Sequence, residues 1–127
     1  MKIARIGDKV NGSCRGSYEY TTCGKTTCWT STSSENGYIA ASISKGSHNV
    51  FCNGKAIARV GDDVDIHKKY PNSGHLDNLN IIGHIVSGSE TVFCNGKPVA
   101  WQNGKIEASG CSNVSISEGS HNVFNNK

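Results

Sequence analysis

Apolar residues in this chain come in short bursts, not in long periodic runs. Val50-Phe51-Cys52 and Lys55-Ala56-Ile57-Ala58-Arg59-Val60 flank Asn53-Gly54. Asn-Gly between two β-prone runs predicts a hairpin, because a type I′ turn needs positive φ at both central residues. Asn95-Gly96 repeats the signal after Val92-Phe93-Cys94. Pro98 follows and has no amide proton, so the outgoing strand there is expected at an edge or short of a ladder bond. Between the hairpins run three excursions of unequal length, from Asp8 to Gly46, Asp62 to Gly88 and Gly104 to Gly119. Excursions with so little apolar periodicity need something besides a core to hold them.

The hairpins belong to a repeat, and the repeat decides the architecture. Gly46-Ser47-His48-Asn49-Val50-Phe51-Cys52-Asn53-Gly54-Lys55 recurs as Gly88-Ser89-Glu90-Thr91-Val92-Phe93-Cys94-Asn95-Gly96-Lys97. A third copy, Gly119-Ser120-His121-Asn122-Val123-Phe124-Asn125-Asn126-Lys127, is cut short by the end of the chain. The opening Ile3-Ala4-Arg5-Ile6-Gly7-Asp8 matches Ile57-Ala58-Arg59-Val60-Gly61-Asp62. The chain thus opens on the second half of a hairpin and closes on the first half. The last strand, near Val123-Phe124-Asn125, is expected to pair with the first, near Lys2 to Arg5. Three hairpins related by a pseudo-threefold axis would leave no free edge. The prediction is an all-β fold in one domain, residues 1–127, with an insertion at about 15–36. In the second copy Ala100-Trp101-Gln102-Asn103-Gly104 replaces the Ala-Arg-Val-Gly-Asp of the first, and Trp101 is expected to pack or make contacts at a rim.

Composition agrees with short strands and many turns. Hydrophobic residues make up 35% and glycine is abundant, which argues against an ordinary helical core. A net charge of +3, with acids and bases interspersed, argues against a nucleic-acid partner. No stretch approaches the ~20 apolar residues of a membrane span. The first residues lack the apolar centre of a signal peptide, so a cytosolic protein is expected unless a machine carries it out. In that compartment six cysteines read as metal ligands or buried thiols before disulfides. Ligand-type residues gather in the excursions: Cys14, Cys23 and Cys28 in the first, His67, His75 and His84 in the second, Cys111 in the third.

Taken together, GSHNVFCNGKAIARVGD at Gly46 to Asp62 and GSETVFCNGKPVA at Gly88 to Ala100 resemble the PAAR-repeat family over essentially the whole chain. That resemblance implies a small cone of three pseudo-threefold β-hairpin repeats. Its blunt base would cap a trimeric VgrG-like spike of a type VI secretion system, or the spike of a contractile phage tail, with one copy per trimer. Its vertex would be pinned by a zinc ion, Zn2+, held by His and Cys. The tip would touch a target membrane transiently during piercing, and effector cargo could ride on it. The protein would be cytoplasmic before firing and then exported with the apparatus, or would sit at a virion tail tip. The resemblance places the metal ligands at Cys111, His67, His75 and Cys14, with His84 competing for the last place. Two departures stand out. Cys14 and a long insertion replace the family's first-loop His, and Ile66-His67 followed by His75 replaces its Cys-Pro-x-His.

A closed four-ligand His/Cys zinc is structural and suits a point too narrow for a core. The remaining candidates have plainer readings. Cys23 and Cys28 form one Cys-x₄-Cys; it could join the tip, form a disulfide after export or simply shape the insertion, and the last is preferred. Cys52 and Cys94 read as small buried apolar residues. His48 and His121 share their position with Glu90 and read as solvent-facing. Asp8 and Asp62 read as turn caps. No enzyme is expected. The alternative, a small zinc-dependent hydrolase or secreted toxin, would want a general base near the metal, and no HExxH arrangement is present. A generic metal- or carbohydrate-binding β module is a third reading, but it leaves the self-completing repeat unexplained.

Overall fold

A computed structural model describes residues 1–71, 74 and 76–124. The described residues form strands and turns only: β1 (Lys9–Cys23), β2 (Cys28–Ile43), β3 (Phe51–Cys52), β4 (Lys55–Ala56), β5 (Asp63–Lys69), β6 (Leu79–Ile85), β7 (Phe93–Cys94), β8 (Lys97–Pro98), β9 (Ile106–Glu107) and β10 (Cys111–Ile116). The fold is all-β, as the sequence predicts. A six-stranded antiparallel sheet runs β10-β1-β2-β5-β6-β9, and β3-β4 and β7-β8 form two small ribbons. The bridge Lys105↔Ser115 brings the outer strands together, so the large sheet nearly closes on itself.

The two Asn-Gly turns form as predicted, with φ of 55° at both Asn53 and Asn95 and 76° and 78° at Gly54 and Gly96. The chain ends also meet: Lys2 bridges Phe124, and the Ile3 amide donates to the Val123 carbonyl at 3.2 Å. The third corner is therefore built from both termini. Expected strand residue Asn125 lies outside the described residues.

Equivalent hydrogen bonds repeat at all three corners. The Ala58 amide donates to Ala4, Ala4 to Ala100 and Ala100 to Ala58, at 2.9 to 3.0 Å, so three backbones form a closed ring. All three alanines are fully buried, and methyl side chains let three strands come this close to one axis. The amides of Ser47, Ser89 and Ser120 each donate at 2.8 Å to Ile57, Val99 and Ile3. Those of Gly7, Gly61 and Asn103 donate to Ile43, Ile85 and Ile116 at 2.7 to 2.8 Å. A pseudo-threefold axis thus relates backbone atoms, not merely the repeated sequence.

Beyond the alanine ring the core continues in triplets. Ile43, Ile85 and Ile116 are buried together with Val10, Val64 and Ile106 in one cluster. Each such side chain contributes about 1.5–3 kcal/mol on leaving water. Ile3, Cys52, Cys94 and Val99 form a second cluster beneath the hairpins, so the two cysteines are buried thiols as read.

The excursions are strands, not irregular loops. The insertion at about 15–36 is the outer part of the β1–β2 ribbon, paired residue by residue from Arg15↔Asn36 to Cys23↔Cys28. It reaches roughly 30 Å past Cys14 at ~3.4 Å per residue. A disulfide joins Cys23 and Cys28 at its end, so this pair does more than shape the insertion. A second disulfide joins Cys14 to Cys111, 97 residues apart.

Candidate functional site

The chain enters or leaves every strand of the large sheet next to a corner: β1, β5 and β9 start there, and β2, β6 and β10 end there. The hairpins therefore occupy one end of the molecule and the long ribbon the other. Each end is a distinct candidate.

At the hairpin end, alternation along β3 and β7 turns Cys52 and Cys94 inward and Phe51 and Phe93 outward. Phe51, Phe93 and Phe124 are 60%, 57% and 58% exposed, and Val50, Val92 and Val123 beside them 37%, 41% and 40%. Such close agreement means three copies of one environment. Six large apolar side chains in water at three equivalent corners are costly unless something covers them. His48, Glu90 and His121 are exposed next to them, as their shared position predicts.

The corners are held rigid by polar side chains. Asp8 accepts from the Arg5 amide at 2.8 Å and from Arg5 Nε and Nη2 at 3.1 and 2.9 Å. Asp62 holds Arg59 in the same way, at 2.8, 2.9 and 2.9 Å. Both acids do cap their turns, and each also grips an arginine. Hydrogen bonding to Asp8 pushes the Arg5 pKa up against the opposing pull of burial, and Asp62 does the same for Arg59. Both guanidiniums then reach the turn asparagine of a neighbouring corner: Arg5 Nη1 to Asn53 Oδ1 and Arg59 Nη1 to Asn95 Oδ1, each 3.0 Å. In the remaining corner Trp101 and Gly104 replace Arg and Asp together, so the ion pair is absent as a unit. Trp101 is half-buried there and bridges Ile3.

At the ribbon end the interior turns polar. Along β5 the side chains alternate, with Val64, Ile66 and Lys68 inside and Asp65, His67 and Lys69 outside. Lys68 is buried and its Nζ donates to the Ser109 carbonyl at 2.7 Å. Cys111 Sγ lies 3.7 Å from the same oxygen. Cys14 is 2% exposed and directly opposite Cys111 across the β1–β10 pair.

Of the four expected metal ligands, Cys14 and Cys111 are thus brought together, but as a disulfide that offers no thiolate. His67 stands on the outer face of the sheet, where Nδ1 contacts Asn80 Oδ1. His75 lies outside the described residues. His84, the competitor, is an exposed strand histidine 3.1 Å from Asp63. Among the described residues no group of three or more His, Cys, Asp or Glu could hold a metal ion. Among the described residues, Cys14 and Cys111 are bonded to each other and His67 faces away from them, so these three do not converge as a ligand set. The alternation Val64-x-Ile66-x-Lys68 carried the signal that would have put His67 outside.

The chain matches no family model, and no curated protein matches it.

Proposed function

We propose that this protein is a structural cap that seats its hairpin end on a trimeric spike of a contractile injection machine, as resemblance to the PAAR repeats implies. One observation carries the reading: three equivalent Val-Phe pairs surround a closed ring of backbone hydrogen bonds. A single chain with three equal apolar corners suits one trimeric partner with a true threefold axis. The apolar side chains supply the area, and the Arg-Asp-Asn braces keep the corners from yielding under load. The work is mechanical, so the relevant quantity is the barrier to unfolding. The metal of the family is no part of this reading.

Native mass spectrometry with a trimeric β-helical spike tests it. One copy per trimer is expected, and Phe51→Asp with Phe93→Asp should abolish the complex while circular dichroism stays unchanged. A three-to-three complex, or none for the unaltered protein, overturns the reading.

A further inference from the structure

The Cys14–Cys111 bond anchors β10, the strand at which the large sheet nearly closes, to β1. β9 and β10 meet through Lys105↔Ser115 and the Ile116 amide on the Gly104 carbonyl at 2.9 Å. On its other side β10 pairs with β1, but the register slips between Asn11 and Ser13. Cys111 opens β10, immediately after the turn closed by its amide on the Ala108 carbonyl at 3.2 Å. Besides the disulfide, the turn is tied down by Arg15 N on the Gly110 carbonyl at 3.1 Å and Lys68 Nζ on Ser109. Cys14 is the last β1 residue paired on both sides, with Cys111 and with Gly37. Beyond it β1 pairs with β2 alone. The bond therefore fastens the shortest excursion to the root of the longest.

We propose that Cys14–Cys111 is a redox clasp, a covalent lock on the vertex and ribbon root that closes in oxidising surroundings and opens in reducing ones. It does by thiol–disulfide chemistry what a bound cation would do in a metal-pinned tip. The two sulfurs are unequal, since Cys111 is half-buried and Cys14 buried. Exchange therefore starts at Cys111. Its thiolate attacks one sulfur of an oxidised low-molecular-weight disulfide such as glutathione disulfide and expels one small thiol. The Cys14 thiolate then attacks the Cys111 sulfur of the mixed disulfide and expels the second. Two protein thiols are oxidised, one external disulfide is reduced to two thiols, and the two protons leave the cysteines for those thiols. Lys68 Nζ donates to the same Ser109 carbonyl that Cys111 Sγ approaches, which ties the turn bearing Cys111 to β5. Closing a loop of this length restricts the unfolded chain strongly. The clasp rests on this geometry alone and stands whether or not the protein caps a spike.

The test uses the full chain with Cys23→Ser and Cys28→Ser, which leaves Cys14–Cys111 as the bond to be read, in parallel with the unaltered protein. Both are equilibrated in glutathione buffers from reducing to oxidising, quenched with acid, alkylated and peptide-mapped. A Cys14–Cys111 cross-link should appear as the buffer becomes oxidising. A phosphine reductant should lower the melting temperature by roughly 10 °C and speed hydrogen exchange at residues 109–113. A chelator should change neither, and zinc added to the reduced protein should not restore the lost stability. Thiols at 14 and 111 that stay alkylatable in oxidising buffer overturn the clasp, as does a melting temperature indifferent to reduction. So does recovery of the reduced protein by one equivalent of zinc.

Discussion

Arg5 and Asp8 face each other as a side-on pair, Nη2 to Oδ1 at 2.9 Å and Nε to Oδ2 at 3.1 Å, with side chains 10% and 2% exposed. Two parallel hydrogen bonds of this kind fix both direction and distance. The pair sits in the corner assembled from the two chain ends, where no covalent connection holds the strands.

Breaking the pair from one side strands a carboxylate out of water. Arg5→Ala should therefore cost about 3–5 kcal/mol, most of it the penalty on Asp8 left alone. Arg5→Ala with Asp8→Ala should cost less than the sum of the single changes by more than about 1 kcal/mol. The corner at Trp101 and Gly104 already shows both members missing together. Urea unfolding of the three variants measures the cycle, and additive costs would show that the two side chains do not act as a unit. Since Arg5 is held charged by Asp8, its contribution is fully present below its unfolded pKa and fades only as pH rises through the still higher folded value. The effect should be flat across working pH on the alkaline side.

Much of this architecture is legible in residues alone. Asn53-Gly54 and Asn95-Gly96 announce the hairpins, and the match of Ile3-Ala4-Arg5 to Ile57-Ala58-Arg59 announces the closure of the ends. The vertex was harder to read for two physical reasons. Facing direction in a strand depends on parity, and buried Lys68 directly follows exposed His67. Pairing of Cys14 with Cys111 depends on the register of strands 97 residues apart, which no local pattern specifies. The insertion misled for another reason. Its Ser, Thr and Tyr are polar, so they lack apolar alternation, yet Thr and Tyr suit a two-stranded ribbon well. The Arg-to-Asn bonds between corners were also hidden, because a turn asparagine reads first as a turn former.

The root of that ribbon depends on two glycines opposite one ring. A methyl group at Gly37 would lie 2.6 Å from the Lys69 carbonyl oxygen and 2.7 Å from the Tyr70 ring, while one at Gly16 would lie 2.7 Å from Leu76 and 3.2 Å from Tyr70. Tyr70 is 7% exposed and covers this stretch of the ribbon. Gly37→Ala meets backbone, which cannot swing away, so a loss of about 1–3 kcal/mol is expected. Gly24→Ala at the far turn finds its closest neighbours at 3.7 Å and should stay within about 0.5 kcal/mol of the parent. Thermal melts of the two variants separate packing at the root from any general intolerance of the ribbon. Equal losses would mean that Tyr70 does not set the fit.

Asn53 serves both as a turn residue and as a staple, and substitution can part the two roles. Its backbone adopts φ 55°, which a glycine takes without strain and an alanine does not. Its Oδ1 accepts from Arg5 Nη1 at 3.0 Å and Ser120 Oγ at 2.5 Å, and its Nδ2 donates to Asn122 Oδ1 at 2.7 Å. Asn95 repeats this with Arg59, Ser47 and Asn49 at 3.0, 2.6 and 2.9 Å. Asn53→Gly keeps the turn and removes the staple, leaving Arg5 Nη1 and Asn122 Oδ1 without their Asn53 partners, at about 1–3 kcal/mol. Asn53→Ala adds the left-handed strain, about 1–2 kcal/mol more. The Gly variant isolates the link between corners, and the Ala–Gly difference isolates the turn. Asn95→Gly should match Asn53→Gly if the pseudo-threefold axis governs energy as well as shape. A glycine variant at either position as stable as the parent would leave the corners held by backbone ring and core alone.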